Sequence, residues 1–298
     1  MDPDRRVCDY EGSGYRTDFW EGQGREYEDL AERIALRRML PATGRRLLDI
    51  GAGFGRLSDF YFGYDQVVLL DYSHSLLRQA QARLGRDGPM IYVAVNFYAM
   101  PFVDASCDTA MMVRVMHHVE DVPALLGEVA RVLVGGGNYV LEFASKRHLK
   151  AILRYALRQQ QWSPFDPAPY EFVDMNFDFH PAWMRERLVD AGFHVKHQRT
   201  VSHFRLAQLK RMIPPRILAT LDGLCQPTGA LWQLTPSVFV HCTANKPASV
   251  APAGGLFRCP ICKCADLQAA PEALSCTLCD RRWPIEDGVY NFKTPLPA

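Results

Sequence analysis

Leu47-Leu48-Asp49-Ile50-Gly51-Ala52-Gly53-Phe54-Gly55-Arg56 places a short apolar run directly before three glycines. The run 46–50 (RLLDI) reads as a buried strand, and the glycines as a tight turn leading into a helix that starts over 56–62. Glycine permits such a turn and, lacking a Cβ, lets the backbone come close to a ligand. Twenty residues after Gly51 stands Asp71, at the end of a second apolar strand, 66–70 (QVVLL). A carboxylate at that place can accept both hydroxyls of a ribose. The glycines follow G-x-G-x-G, and Arg56 stands where the dinucleotide fingerprint needs Gly or Ala. Asp49, just before the turn, suits a cationic ammonium better than a pyrophosphate, which seeks amide donors and positive charge. The ligand favoured is a nucleoside with an amino-acid tail.

Working outward, the same alternation continues. The stretch 26–40 (EYEDLAERIALRRML) predicts an amphipathic helix, with Tyr27, Leu30, Ile34 and Leu40 on its apolar positions. Helices are predicted over 75–84, 122–133 (ended by Gly135-Gly136-Gly137) and 181–191 (stopped by Gly192), and strands over 90–95, 109–113, 138–143, 193–201 and 237–243. Short apolar strands alternating with helices imply a doubly wound, mostly parallel α/β sheet. The basic, aromatic and proline-broken stretch 146–175 reads as a helix followed by a covering loop, within a lid or acceptor region at 146–235. The Pro/Ala/Gly-rich stretch 246–255 reads as a linker between a domain over 1–245 and a small module over 256–298.

The 298 residues are 48% hydrophobic and 22% charged, which excludes a disordered, collagen-like or coiled-coil chain. No run approaches the roughly 18 apolar residues of a membrane span, and the charged start shows no signal peptide, so a cytoplasmic location is expected. The net charge of +1 is uneven: residues 1–145 hold 15 Lys/Arg against 21 Asp/Glu, whereas 146–216 hold 13 against 6. The basic middle either meets something anionic or is a solvated face.

With these residues in view, the chain resembles the class I S-adenosylmethionine-dependent methyltransferases, especially the quinone-biosynthesis-like subgroup. LLDIGAGFGR resembles their first motif and VVLLDYS their second; NFYAMPF (96–102), RVMHHVED (114–121) and EVARVLVGGGNYVLEF (128–143) resemble their later segments. The resemblance implies a Rossmann-like sheet with Gly51, Gly53 and Gly55 shaping the loop around the methionine part of S-adenosylmethionine, Asp49 nearby and Asp71 on the ribose. It implies Asn96, where the family usually has Asp, beside the adenine amino group, Phe97 flanking the ring, and the Arg114 backbone lining the cofactor. Asparagine still accepts a hydrogen bond there through its carbonyl. His118, after the fourth strand at the cleft mouth, is the candidate base, against the simpler role of capping or packing the next helix. The aromatic stretch 162–183 either lines an acceptor pocket or packs as a lid.

Cys259-x-x-Cys262 and Cys276-x-x-Cys279 form two knuckles whose four thiolates suit a structural, tetrahedral zinc. Cys264 is the spare, and Cys8, Cys107, Cys225 and Cys242 are scattered singly. A module this small has too little core to fold alone, so metal supplies much of its stability. The module also resembles the Trm112-like zinc ribbons, in CPIC, LSCTLC and WPIEDGV (283–289). Free-standing members of that family bind and activate methyltransferases, mostly ones that modify the translation machinery, so the resemblance implies that this fused copy is a built-in stabilising or substrate-handling module; a zinc-stapled cap is the simpler role.

The acceptor is not named by any motif. RVMH (114–117) stands where base-methylating relatives carry an N/D-P-P-Y/F tetrad, and Cys107 lacks the Pro-Cys setting of a cytosine nucleophile. The expectation is methyl transfer to a small-molecule or lipid-like acceptor, with RNA or a translation factor as the alternative acceptor. An inactive cofactor-binding scaffold is the non-enzymatic alternative.

Overall fold

The computed structural model describes residues 6–250 and 255–297; residues 251–254 of the expected linker lie outside them. The chain opens with a short helix α1 (Tyr15–Phe19) and the longer α2 (Glu26–Met39). Helix α2 buries Tyr27, Ala31, Ala35, Leu36 and Met39, the helical spacing of one face. Next in the chain are β1 (Gly44–Ile50), β2 (Tyr64–Asp71), α3 (His74–Leu84), β3 (Met90–Ala94), β4 (Cys107–Met112), α4 (Val122–Val132) and β5 (Leu133–Ala144). Ser73 caps α3 by accepting from Leu76 N at 3.2 Å, and Asp121 caps α4 by accepting from Ala124 N at 3.0 Å.

Strands β3-β2-β1-β4-β5 lie side by side and parallel. The next elements are α5 (Leu149–Ala156), the hairpin β6 (Tyr170–Val173) and β7 (Asn176–Asp178), α6 (Pro181–Asp190), β8 (Phe193–Val201), α7 (Ala207–Met212), α8 (Pro215–Cys225) and β9 (Ser237–Ala244). Strand β9 inserts antiparallel between β5 and β8. The parallel core strands are apolar on both faces: Leu48, Ile50, Val68 and Leu70 pack on one side, and Leu47, Val67 and Leu69 on the other. Each such side chain contributes about 1.5–3 kcal/mol on burial. Strand β1 has β2 on one flank and β4 on the other, so the sheet reverses its winding there. The carboxyl ends at such a reversal form a crevice, the usual seat of a ligand in open α/β sheets.

Two local expectations change. The helix predicted over 56–62 is a single 3-10 turn, Ser58–Phe60, because β2 begins at Tyr64 and Leu57 and Tyr61 turn inward to fill the core. The strand expected at 138–143 starts at Leu133 and runs through the three glycines.

The terminal module has β10 (Leu267–Ala270), β11 (Ala273–Cys276), β12 (Arg282–Glu286) and β13 (Val289–Asn291), paired antiparallel in order. Strand β13 then pairs parallel with β3, Val289 opposite Tyr92 and Asn291 opposite Ala94, making one sheet of eleven strands. Trp283 and Phe292 are buried, Phe257 stacks on Phe102 at 5.9 Å, and both flank the core beneath β3. The module is therefore joined to the main sheet edge to edge.

Candidate cofactor cleft and four-cysteine centre

The glycine turn leaves β1 with Gly51, Gly53 and Gly55 all in the left-handed region, at φ 74°, 54° and 73°. A Cβ on Gly51 would stand 2.2 Å from Val115 Cγ2, so this position excludes any side chain. Gly51 N and Ala52 N donate to Leu70 O at 2.7 and 3.0 Å, which ties the turn to the end of β2. Asp71 completes the tie: Oδ2 accepts from Gly53 N at 2.8 Å and Oδ1 from Ser73 N at 2.9 Å. Burial raises its carboxyl to about 6, against the pull of these amides.

Asp49, buried between β2 and β4, accepts a short hydrogen bond from the Tyr61 hydroxyl. Burial raises it to about 7, while the Tyr61 bond and Arg56 work the other way. A nearby cation would stabilise its ionised form, so the site suits an ammonium. Asn96 Oδ1 accepts from Tyr98 N at 3.0 Å and caps the short turn 97–99. Phe97, almost fully buried, meets Tyr98 edge-on at 4.7 Å. Arg114 sits at φ 63°, and its backbone N–H donates to Glu142 Oε2 at 3.0 Å.

A residue that periodicity does not single out organises this end of the sheet. Glu32, on the buried face of α2, is fully enclosed. It accepts from Arg56 Nη2 at 2.8 Å and Arg114 Nε at 2.6 Å. One carboxylate thus links α2, the glycine turn and the end of β4. The two guanidinium groups hold it below the usual carboxylate range despite its burial. The sequence carries only a weak signal of this: Glu28 and Glu32 fall on the face that also buries Tyr27, Ala31 and Ala35.

His118 has both ring nitrogens engaged, Nδ1 with Met175 O at 2.8 Å and Nε2 with the Tyr10 hydroxyl at 3.0 Å. Its neighbour His117 lies ring to ring at 4.0 Å, and burial lowers both from the ordinary histidine value.

Tyr10 belongs to a strap, residues 6–24, drawn across the cleft. Arg6 bonds Glu120, Glu171 and Asp174 at 2.7–3.1 Å. Glu11 accepts from Ser75 N at 3.0 Å, the Tyr15 ring overlies Gly53, and Trp20 stacks on the Arg56 guanidinium at 3.7 Å. Beneath the strap, Asp49, Gly51, Gly53 and Arg114 line a cavity of about 30 Å³. Beyond Trp20, Phe54 and Arg56, which line both spaces, a wider cavity of about 640 Å³ opens toward Leu30, Pro214 and Pro215.

In the terminal module the four predicted cysteines converge. Cys259 and Cys279 sulfurs stand 3.7 Å apart, Cys262 and Cys276 sulfurs 3.4 Å, and all four lie within 4.8 Å of one another. Tetrahedral zinc at about 2.3 Å from each sulfur sets sulfurs roughly 3.8 Å apart, so the donor set fits. Each knuckle closes through a left-handed residue after its second cysteine, Lys263 at φ 67° and Asp280 at φ 56°. Cys264 turns away, its sulfur 3.8 Å from Asp266 O and Thr277 Oγ1.

Comparison with known proteins bears on the fold and the family. The pattern of a family described as methyltransferase domain matches residues 48–141. The ubiquinone/menaquinone biosynthesis C-methyltransferase of Shewanella sp. (strain ANA-3) is 30% identical over 167 residues, covering 50% of this chain and 66% of that protein. Its counterpart in Shewanella woodyi is 30% identical over 179 residues, covering 54% and 71%. The chain thus spans about two thirds of the length of these relatives. Among solved structures, an S-adenosylmethionine-dependent methyltransferase from Mesorhizobium loti superposes with TM-score 0.53 at 24% identity, over 73% of this chain and 99% of that one. A complex of the Haloferax volcanii Trm112 methyltransferase activator with a methyltransferase gives 0.53 at 19% identity, over 76% and 95%. At these identities the structures speak for the fold, and the sequence relatives for the family. The chain belongs to the class I S-adenosylmethionine-dependent methyltransferases.

Proposed function

We propose that the protein transfers the methyl group of S-adenosylmethionine to a small-molecule or lipid-like acceptor, with structural zinc on Cys259, Cys262, Cys276 and Cys279. The observation that carries this reading is the tie from Asp71 to the Gly53 amide at 2.8 Å, Gly53 and Asp49 lining one small cavity. In this reading Asp71 turns from the Gly53 and Ser73 amides to hold the ribose hydroxyls. Asp49 meets the ammonium of the methionine part. The Gly51, Gly53 and Gly55 backbone passes close beneath it. Asn96 and Phe97 border the adenine, and the Arg114 backbone closes the wall. The bound cofactor supplies an electrophilic methyl on a sulfonium, so the protein's task is mainly to align the acceptor with it. His118 serves to hold Tyr10 and Met175 in place; taking a proton would require it to give up one of those bonds.

The 640 Å³ cavity supports a small organic acceptor, because it shares Trp20, Phe54 and Arg56 with the cofactor cleft and is walled by Leu30, Pro214 and Pro215 among charged residues such as Glu26, Asp29 and Arg216. The zinc-ribbon resemblance and the likeness to a complex containing an activator support a second reading, a translation-related acceptor handled by the ribbon. Calorimetric titration with S-adenosylmethionine tests the first reading. Micromolar binding to the wild type, weakened tenfold or more by Asp71→Ala (about 1.4 kcal/mol), is expected. No binding by well-folded wild-type protein overturns it.

A further inference from the structure

Helix α5 is an amphipathic element that the fold leaves uncovered. Leu149, Leu153 and Leu157 recur every fourth residue as one stripe, yet they are 55%, 53% and 64% exposed. Only Ala151 of this helix is buried. Lys150 and Arg154 lie one position on, Arg158 follows in the turn past the helix at φ 57°, and residues 146–161 contain no acidic side chain. The backbone bond from Leu149 N to Leu234 O at 2.8 Å joins the start of α5 to the segment where Leu231 and Trp232 are 74% and 66% exposed. From the other end of the helix, Tyr155 meets the exposed Phe165 edge-on at 6.3 Å.

Leucines, aromatic rings and a cluster of cations with no acidic side chain, on one short surface helix and the turn that ends it, match an element that lies in the headgroup region of a bilayer. An RNA surface would use the cations and aromatic rings but gives exposed leucines nothing to pack on. We infer that α5 and the 231–234 segment dock the protein onto an anionic lipid surface. The apolar stripe enters the interface, and Lys150, Arg154 and Arg158 meet the lipid phosphates. No helix among the described residues is long and apolar enough to cross a membrane, so the contact is peripheral. This surface is independent of the cofactor cleft and stands whether or not the methyl-transfer reading does.

Co-sedimentation of the full chain with vesicles tests it, using phosphatidylcholine mixed with phosphatidylglycerol against phosphatidylcholine alone. Binding to the mixed vesicles and much weaker binding to the neutral ones is expected. Leu153→Glu with Leu157→Glu should reduce the partition about tenfold or more. Each of Lys150→Gln and Arg154→Gln should reduce it about fivefold, a cation near such a surface contributing about 1 kcal/mol. These side chains are exposed, and an unchanged circular dichroism spectrum shows that the variants fold. Three results overturn the inference. One is no partition of wild type onto mixed vesicles. Another is binding that survives the leucine variants, or RNA binding that fails only in the arginine and lysine variants. The third is light scattering that shows the leucines join two copies of the chain.

Discussion

The cofactor cleft and the cysteine ribbon sit on either side of β3 and are stabilised by opposite means. In the cleft, buried charges satisfy one another: Glu32 holds Arg56 and Arg114, Asp71 holds two amides, and His118 is bonded at both nitrogens. The ribbon has a few aromatic residues beneath it and four sulfurs facing one another. The cleft can be complete without a ligand, whereas the ribbon's four thiols form a donor set that fits the proposed zinc. The difference also says where each region is vulnerable: the cleft to loss of one partner in a charge network, the ribbon to loss of an ion.

Removing the metal gives the sharpest contrast. Metal analysis should find one zinc per chain, and a strong chelator, or Cys262→Ser with Cys276→Ser, should unfold the ribbon, since structural zinc in small modules contributes roughly 10–16 kcal/mol. Near-ultraviolet circular dichroism would report it through the buried Trp283. A ribbon that keeps its signal without metal breaks the contrast. Next in size is Glu32→Ala, which leaves the buried Arg114 guanidinium without its carboxylate and Arg56 with Asp29 alone. It should cost about 3–5 kcal/mol of stability by urea denaturation, and a loss below about 1 kcal/mol, the range of an exposed pair, would show that the network matters little.

A smaller effect lies in Asp49 and Asp71, held near 7 and 6 by burial from an ordinary value of 3.8. A carboxyl raised in the folded chain keeps its proton where the unfolded chain has lost it. Its contribution is whole below the unfolded value and disappears as pH rises through the folded one. Relative to Asp49→Asn, the unliganded wild type should therefore lose up to about 1.4 kcal/mol per pH unit between about pH 4 and 7. Parallel stability curves for the two proteins would contradict the assignment. The smallest effect concerns the strap. Trp20→Ala removes the stack on Arg56, about 0.5–2 kcal/mol, and should speed S-adenosylmethionine association severalfold in stopped flow because the strap must move to admit it. An unchanged rate would mean that the cofactor enters by another path.

Much of this is legible in the sequence where one local geometry demands one residue type. The glycine turn, Asp71 at the strand end and the two CxxC knuckles belong to that class, and the structure brings each set together as read. What is not legible depends on partners distant in the chain. The strap's hold on the cleft rests on Arg6 meeting Glu171 and Tyr10 meeting His118. Adjacent histidines at 117 and 118 carry no local mark of which one is bonded at both nitrogens. The turn at Ser58–Phe60 reads as helical because its apolar residues fit either form, and chain length up to β2 decides otherwise. Residues 289–291 are too short to announce a strand, and only the neighbouring β3 makes them one.

The pairing of β13 with β3 has a further consequence, for colloidal behaviour. Strand β3, Met90-Ile91-Tyr92-Val93-Ala94, has no charge and no proline, and without β13 it would present a free row of backbone donors and acceptors. Uncharged apolar edges of this kind recruit strands from other molecules. By covering that edge, the ribbon would hold self-assembly in check. A metal-starved chain is expected to aggregate before its main domain melts, with turbidity rising in the chelator titration ahead of any loss of helical signal. Zinc supply would then govern how much of the protein stays dispersed, whatever it does to turnover.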